Sequence, residues 1–152
     1  PDGNHQVIYE EGIHIGYRAW LKAGAKPAYD FGYGLGYTTW QVVAVAGGNQ
    51  VSETKNLELS VEVKNTGDRA GKHIVQVYAE RKTSYVDRPV RWLVGFAEVH
   101  AAAGETKTAA ITIRGREFAD YNNGWNYEAG EFTLHIGSNV NDLPVSFNVV
   151  MG

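Results

Sequence analysis

Four stretches of the chain alternate apolar and polar residues with a period of two. Leu57, Leu59, Val61 and Val63 are interleaved with Glu58, Ser60, Glu62 and Lys64, which turns one face of a strand toward a core and the other toward water. The same pattern recurs in Ala109, Ile111 and Ile113, in Phe132, Leu134 and Ile136, and in Leu143, Val145, Phe147 and Val149. Each run is bounded by Gly, Asn, Asp or Pro. Three further runs, Thr38 to Val45, His73 to Ala79 and Trp92 to Val99, alternate less regularly but are rich in β-branched and aromatic residues. Turn signals separate the runs at Asn65-Thr66-Gly67-Asp68, Ala103-Gly104-Glu105, Ala129-Gly130-Glu131 and Asn139 to Asp142. No stretch of a dozen residues carries a helical period. The expectation is seven short antiparallel strands in two one-sided sheets that bury their apolar faces against each other.

That count in one domain predicts an all-β, seven-stranded immunoglobulin-like or fibronectin type III-like sandwich, placed at residues 37–152. Residues 1–36 differ in kind and read as an extended arm. They are rich in glycine and tyrosine, with one plausible strand at Gly12 to Tyr17. A lone strand of this length does not support itself, so the aromatics of the arm need a surface to cover, expected to belong to another domain.

With 152 residues the chain fits one domain and an arm, and is too short for a (β/α)₈ barrel of about 250 residues. Hydrophobic residues at 43% and charged residues at 20% support a buried core. Fourteen Lys and Arg against 17 Asp and Glu give a net charge of -3, which offers no footprint for nucleic acid or an anionic membrane. No apolar run approaches the roughly 18 residues of a membrane span. Cysteine is absent, which removes disulfides, thiolate metal sites and cysteine nucleophiles, and suits a reducing or an oxidising compartment equally. The opening residues Pro1-Asp2-Gly3-Asn4-His5 lack an initiator Met and a basic signal-peptide start, and read as part of a longer chain.

Candidate chemistry is sparse. Glu10 and Glu11 are the one adjacent carboxylate pair, and neighbours on a strand point to opposite faces. His5, His14, His73, His100 and His135 lack the HxH or HxxxH spacing that brings two imidazoles to one metal. The Phe31-Gly32-Tyr33-Gly34-Leu35-Gly36 stretch has neither the spacing nor the following helix of a phosphate loop, and its glycines instead let a bent backbone pass between aromatic side chains. No serine sits in a nucleophile elbow. Tyr85, Trp92, Trp125 and Tyr127 are candidates for stacking on sugar rings, but large aromatics are more often buried than displayed, so sugar binding by this chain alone is disfavoured. No catalytic residue, cofactor or metal is expected.

Two stretches resemble a known family. Val7-Ile8-Tyr9-Glu10-Glu11-Gly12 with Gly16-Tyr17-Arg18, followed by Pro27-Ala28-Tyr29-Asp30-Phe31-Gly32-Tyr33-Gly34-Leu35-Gly36-Tyr37-Thr38-Thr39-Trp40, is similar to the signatures that lead into the C-terminal domain of glycoside hydrolase family 3. The resemblance continues through Val63 to Gly71, Val75 to Tyr78, Leu93 to Phe96, Gly104 to Lys107, Gly130 to Phe132 and Ile136 to Ser138. It departs from the family pattern at Ala103, Ala129 and Asp30, where proline is usual, and Phe132 stands where a corner tyrosine is possible.

The resemblance implies the fibronectin type III-like domain of a β-glucosidase-like enzyme, with an arm leaving the preceding α/β domain. It further implies a non-catalytic accessory role. Tyr9, Tyr17, Arg18, Trp20, Tyr29, Phe31 and Tyr33 would then lie against the catalytic domains, in cis or as a separate chain. Glycoside hydrolysis needs two carboxyls about 5 to 9.5 Å apart across a sugar, and no pair here is held so by the strand reading. An autonomous carbohydrate-binding or protein-interaction module is the alternative.

Overall fold

A computed structural model describes Val7 and residues 9–152. His5 and Ile8, which figure in the sequence reading, lie outside the described residues. The chain forms α1 (Tyr17–Ala23), β1 (Trp40–Gly47), β2 (Gln50–Val51), β3 (Leu57–Asn65), β4 (Gly71–Glu80), β5 (Trp92–Ala101), β6 (Thr106–Ile113), a 3₁₀ turn (Gly115–Phe118), β7 (Asp120–Tyr121), β8 (Trp125–Asn126), β9 (Gly130–Gly137) and β10 (Val145–Met151). Among the described residues, the seven strands of seven or more residues are the seven that the sequence patterns predict. One sheet has the order β1-β3-β6 and the other β2-β10-β9-β4-β5, while β7 and β8 form a small separate ribbon. Pairing is antiparallel except between β2 and β10.

The regular strands behave as their alternation requires. Leu57, Leu59, Val61 and Val63 of β3 are buried and Glu58, Ser60, Glu62 and Lys64 exposed. They pair in register with β6, placing Leu59 opposite Ile111 and Val61 opposite Ala109. From the facing sheet come Val75 and Val77 of β4, Phe132, Leu134 and Ile136 of β9, and Val149 and Met151 of β10. Burying each of these side chains contributes about 1.5–3 kcal/mol, which makes this interior the main source of stability.

Two of the three irregular runs have distinct causes. In β5 the ladder with β4 steps from Val77↔Gly95 to Tyr78↔Leu93, so one extra residue lies on β5. The core-facing set changes there from Trp92 and Val94 to Val99, and Phe96 is thrown into solvent. In β4 the residues between the core positions are buried too. Gln76 and Tyr78 sit on the outer face, and the arm covers them.

The arm differs from the expected strand at Gly12 to Tyr17. Residues 10–13 turn, Gly12 and Gly16 take positive φ of 56° and 58°, and a helix follows. A glycine in that left-handed region breaks a strand, and Arg18, Ala19, Leu21, Lys22 and Ala23 all favour helix. Gly24, also left-handed, ends α1 by donating its N–H to the carbonyl of Leu21.

Two polar clusters fix the loops. Asn65, fully buried at the end of β3, donates to the carbonyls of Arg69 and Ala101 at 2.8 and 3.1 Å, and its carbonyl oxygen accepts from Gly67 N–H and the Thr38 hydroxyl. The Asn-Thr-Gly-Asp turn is thereby held by its first residue. At the other end Glu128, 5% exposed, accepts from the Ser84 hydroxyl at 2.6 Å and Tyr85 N–H at 3.2 Å. It also pairs with Arg81 at 3.0 Å and Arg88 at 3.3 Å. Both guanidiniums lie over the Phe132 ring. Burial pushes the Glu128 carboxyl up, but the Ser84 and Tyr85 donors and the two cations outweigh it and hold the group below the usual carboxylate range.

Leu59→Asp or Val61→Asp is expected to unfold the domain, because each would place an unpaired charge in the interior at a cost of several kcal/mol. Glu62→Gln, on the solvent face of the same strand, is expected to change stability by less than about 0.5 kcal/mol in urea titrations. Equal effects would contradict the register.

Glu128 has a depressed folded pKa, so its stabilising contribution is complete above about pH 4.3, the unfolded value, and is lost as pH falls through the folded one. Glu128→Gln is expected to cost about 3 kcal/mol or more by leaving two buried guanidiniums without their carboxylate. It is also expected to flatten the acid limb of the stability profile, which thermal melts between pH 3 and pH 6 would show, given that the transition brackets the ordinary glutamate value of about 4.3. An unchanged acid limb would assign the acid sensitivity to other carboxylates.

Candidate docking surface

The arm has two sides, and the sequence commits them differently. On the inner side Tyr17, at the first turn of α1, stacks on Phe31 with ring centroids 4.2 Å apart and meets Tyr78 edge-on at 6.5 Å. Its hydroxyl oxygen accepts the Leu93 N–H at 3.1 Å. Burial pushes the Tyr78 phenol well up, with Tyr17 adding to the effect, so Tyr78 stays protonated and donates to the Gln76 carbonyl oxygen at 2.6 Å. The Gln76 amide in turn donates to the carbonyls of Gly32 and Ser138. At Gly32, with φ of 84°, a Cβ would fall inside the Gln76 side chain, which is the physical reason for glycine in the middle of that aromatic stretch.

Further ties hold the arm down. Val140 N–H donates to the Phe31 carbonyl at 3.0 Å, and the Asn141 amide to Asp30 at 2.7 Å. His14, largely buried, contacts Asp87 at 2.8 Å. His73, beneath the 33–40 segment, stacks on Trp40 at 5.3 Å; burial lowers its pKa, with Asp142 opposing.

The outer side is apolar and uncovered. Leu35 and Tyr37 are each 90% exposed and Tyr29 75%, while about half of Trp20 and Tyr33 remains in solvent. Tyr29 and Tyr33 stack on each other at 5.6 Å, which fixes both rings without burying them. Tyr9 is also exposed. Arg18 lies over the Tyr17 ring at 5.8 Å and faces a groove toward the β7–β8 ribbon. The structure thus gathers Tyr17, Arg18 and Phe31 into one cluster and Tyr29 with Tyr33 into another, with Tyr9 and Trp20 outside both. Leu35 and Tyr37 were missed as surface candidates, although they occupy the same glycine-rich stretch. Gln76 and Tyr78 were missed as the arm's seat, and the signal was the absence of alternation in β4.

Of the aromatics considered for sugar stacking, Trp92 is in the core and Tyr127 packs against it, whereas Tyr85 and Trp125 are displayed. Among the described residues no group of three or more His, Asp or Glu is placed to hold a metal ion.

Comparison with known proteins supports the same architecture. Residues 73–140 match the fibronectin type III-like domain family. The chain is 38% identical, over 98% of its length, to the thermostable β-glucosidase B of Acetivibrio thermocellus, but covers only 20% of that protein. It superposes on the crystal structure of DesR, a β-glucosidase from Streptomyces venezuelae, with a TM-score of 0.86 and 34% identity, covering 93% of this chain and 18% of that one. The glycoside hydrolase family 3 β-glucosidase of Bifidobacterium adolescentis gives a TM-score of 0.86 at 30% identity, with 93% of this chain and 21% of that one covered. The chain therefore spans about a fifth of the length of the relatives it matches. Sandwich and similarity agree that this chain matches the fibronectin type III-like domain at the C-terminal end of glycoside hydrolase family 3 β-glucosidases.

Proposed function

We propose that this chain is a non-catalytic accessory domain that packs on and stabilises the catalytic domains of a β-glucosidase-type hydrolase, through the outer side of its arm. The observation that carries the reading is the asymmetry of the arm. Its inner side is fixed by Tyr17, Phe31 and Gly32, so the exposure of Trp20, Tyr29, Tyr33, Leu35 and Tyr37 is a property of an anchored surface. Each aromatic on it removes about 150–250 Å² from water when covered, and so many exposed large apolar side chains on one short segment mark an interaction site. The remaining four fifths or so of the related enzymes supplies the partner, either in the same chain or as a separate one. Tyr9, Tyr17, Arg18, Trp20, Tyr29, Phe31 and Tyr33 belong to this interface, with Tyr17 and Phe31 acting from beneath by holding the arm in place.

Two measurements test the reading. The isolated chain is expected to release no nitrophenol from an aryl β-glucoside, since the strand pattern of its sequence holds no carboxyl pair across a sugar; turnover lost on mutating one Asp or Glu would overturn that. Mixed with the catalytic portion of a matching hydrolase from which this domain has been removed, the chain is expected to raise the melting temperature of that portion. Saturation at about 100 times Kd corresponds to about 2.7 kcal/mol. Tyr29→Ala combined with Tyr37→Ala is expected to abolish the rise while leaving the chain's own stability nearly unchanged, because both side chains stand largely in solvent. No rise at concentrations of about tens of micromolar, far above the Kd of an ordinary stable interface, would defeat the proposal.

A further inference from the structure

The β7–β8 ribbon turns through Asn122, Asn123 and Gly124, because Tyr121 already pairs with Trp125 and Asp120 with Asn126. Asn123 takes φ of 53° and is the one non-glycine residue with positive φ among the described residues. An L-residue seldom enters that left-handed region, and asparagine does so more readily than most. The bonds of the loop converge on the carbonyl oxygen of Gly124, which accepts the Asn122 N–H at 3.0 Å and the Asn126 side-chain amide at 3.1 Å. The atoms between go unused. Among the described residues the Gly124 N–H donates to nothing and the exposed Asn123 side chain has no hydrogen-bond partner. Beyond its chain neighbours, no atom lies within 4 Å of where a Cβ on Gly124 would stand.

An unheld asparagine side chain is open to attack by the backbone nitrogen of the residue that follows it. A side chain on that next residue crowds the approach, and glycine has none. Asn123-Gly124 is the one Asn-Gly pair in the 152 residues. Two other loop asparagines show the contrary arrangement. Asn65 is fully buried, commits its amide to the Arg69 and Ala101 carbonyls and is followed by Thr66. Asn139 is 9% exposed, accepts from the Asn141 and Asp142 N–H groups and is followed by Val140.

We propose that Asn123 is a site of spontaneous self-modification, where the chain converts an asparagine into an aspartyl or isoaspartyl residue. The Gly124 nitrogen gives its proton to a solvent base and bonds to Cγ of Asn123. The bond from Cγ to the side-chain nitrogen breaks, and that nitrogen takes up a proton and leaves as ammonia. One water then opens the remaining succinimide ring at either carbonyl. Each event consumes one water and releases one ammonia, and needs neither oxidant nor reductant. Both products add a negative charge to a ribbon that already carries Asp120. The isoaspartyl product also routes the main chain through Cβ and Cγ, which inserts one atom between Tyr121 and Trp125 and disturbs their pairing and their 5.2 Å edge contact. The site does not rest on the docking role of the arm.

The test incubates the full chain in mildly alkaline buffer and follows each asparagine by peptide mapping with mass spectrometry. Asn123 is expected to gain the mass of an amide turned acid before any other asparagine, and at least about tenfold faster than Asn122, a difference in barrier of about 1.4 kcal/mol. The folded chain is expected to react at no less than about a tenth of its rate in urea, because the fold withholds neither reacting atom. As isoaspartyl accumulates, the indole N–H signal of Trp125 is expected to split in two while core amides such as that of Val61 stay in place. Asn123→Gly keeps the left-handed backbone, and is expected to remove the split and leave the melting temperature unchanged. Another asparagine reacting first, a folded rate below that limit, or a split that persists in Asn123→Gly would each overturn the proposal.

Discussion

Strand β4 is covered on both faces, and the rest of the molecule is arranged around that requirement. Its inner face, with Val75, Val77 and Ala79, belongs to the sandwich interior. Its outer face presents Gln76 and Tyr78, and two polar side chains buried on a sheet surface are stable only with their hydrogen bonds complete. Tyr78 donates to Gln76, Gln76 donates to Gly32 and Ser138, and Tyr17 closes the aromatic side of the cluster. Removing the arm would leave the Gln76 amide short of one acceptor and expose the Tyr78 ring. The arm is thus a third layer over the five-stranded sheet, and its path past Gln76 exists only because residue 32 has no side chain.

The loop end of the sandwich is organised by a different force. Glu128, Arg81 and Arg88 are all buried, and removing three charges from water is costly enough that such a cluster does not add stability merely by being present. What it fixes is shape. One carboxylate receives Ser84, the Tyr85 N–H and both guanidiniums, while Arg81 and Arg88 reach on to the carbonyls of Ala129 and Phe118. The loop after β4 and the segment after the 3₁₀ turn are therefore locked to each other. The groove beside the β7–β8 ribbon inherits its floor from that lock, since Arg88 belongs to both.

How much of this can be read from the sequence follows from which faces water touches. β3, β6 and β9 alternate because one side of each sheet meets solvent, and there the pattern identifies strand, register and buried face together. In β4 no alternation survives, because the arm removes the second face from water, and the run of buried residues is ambiguous by periodicity alone. β5 hides its pattern behind one extra residue at the bulge. The alternation at Gly12 to Tyr17 suggests a strand, whereas Gly12 and Gly16 take left-handed backbone that turns the chain, and Gly16 and Gly24 bracket a helix. Individual side chains on its surface, such as Leu35 and Tyr37, carry no signal that separates facing outward from facing inward; that division is set by the tertiary position of Gly32.

Sequence and structure meet in the glycine-rich stretch of the arm. Phe31 stacks on Tyr17 while staying 42% exposed, Gly32 passes over Gln76, and Tyr33 stacks on Tyr29. Adjacent residues of one short segment thus serve the sandwich and the solvent-facing surface in alternation. A change at Gly32 would act on both, because lifting the backbone off Gln76 moves Phe31 and Tyr33 together. The Tyr29–Tyr33 stack holds part of the outer face in place before any partner arrives, and ordering side chains before association reduces the entropy that binding must overcome. An arm that merely tethered two domains would need neither the inward anchors nor the stacked outward pair; an arm that positions a contact surface needs both.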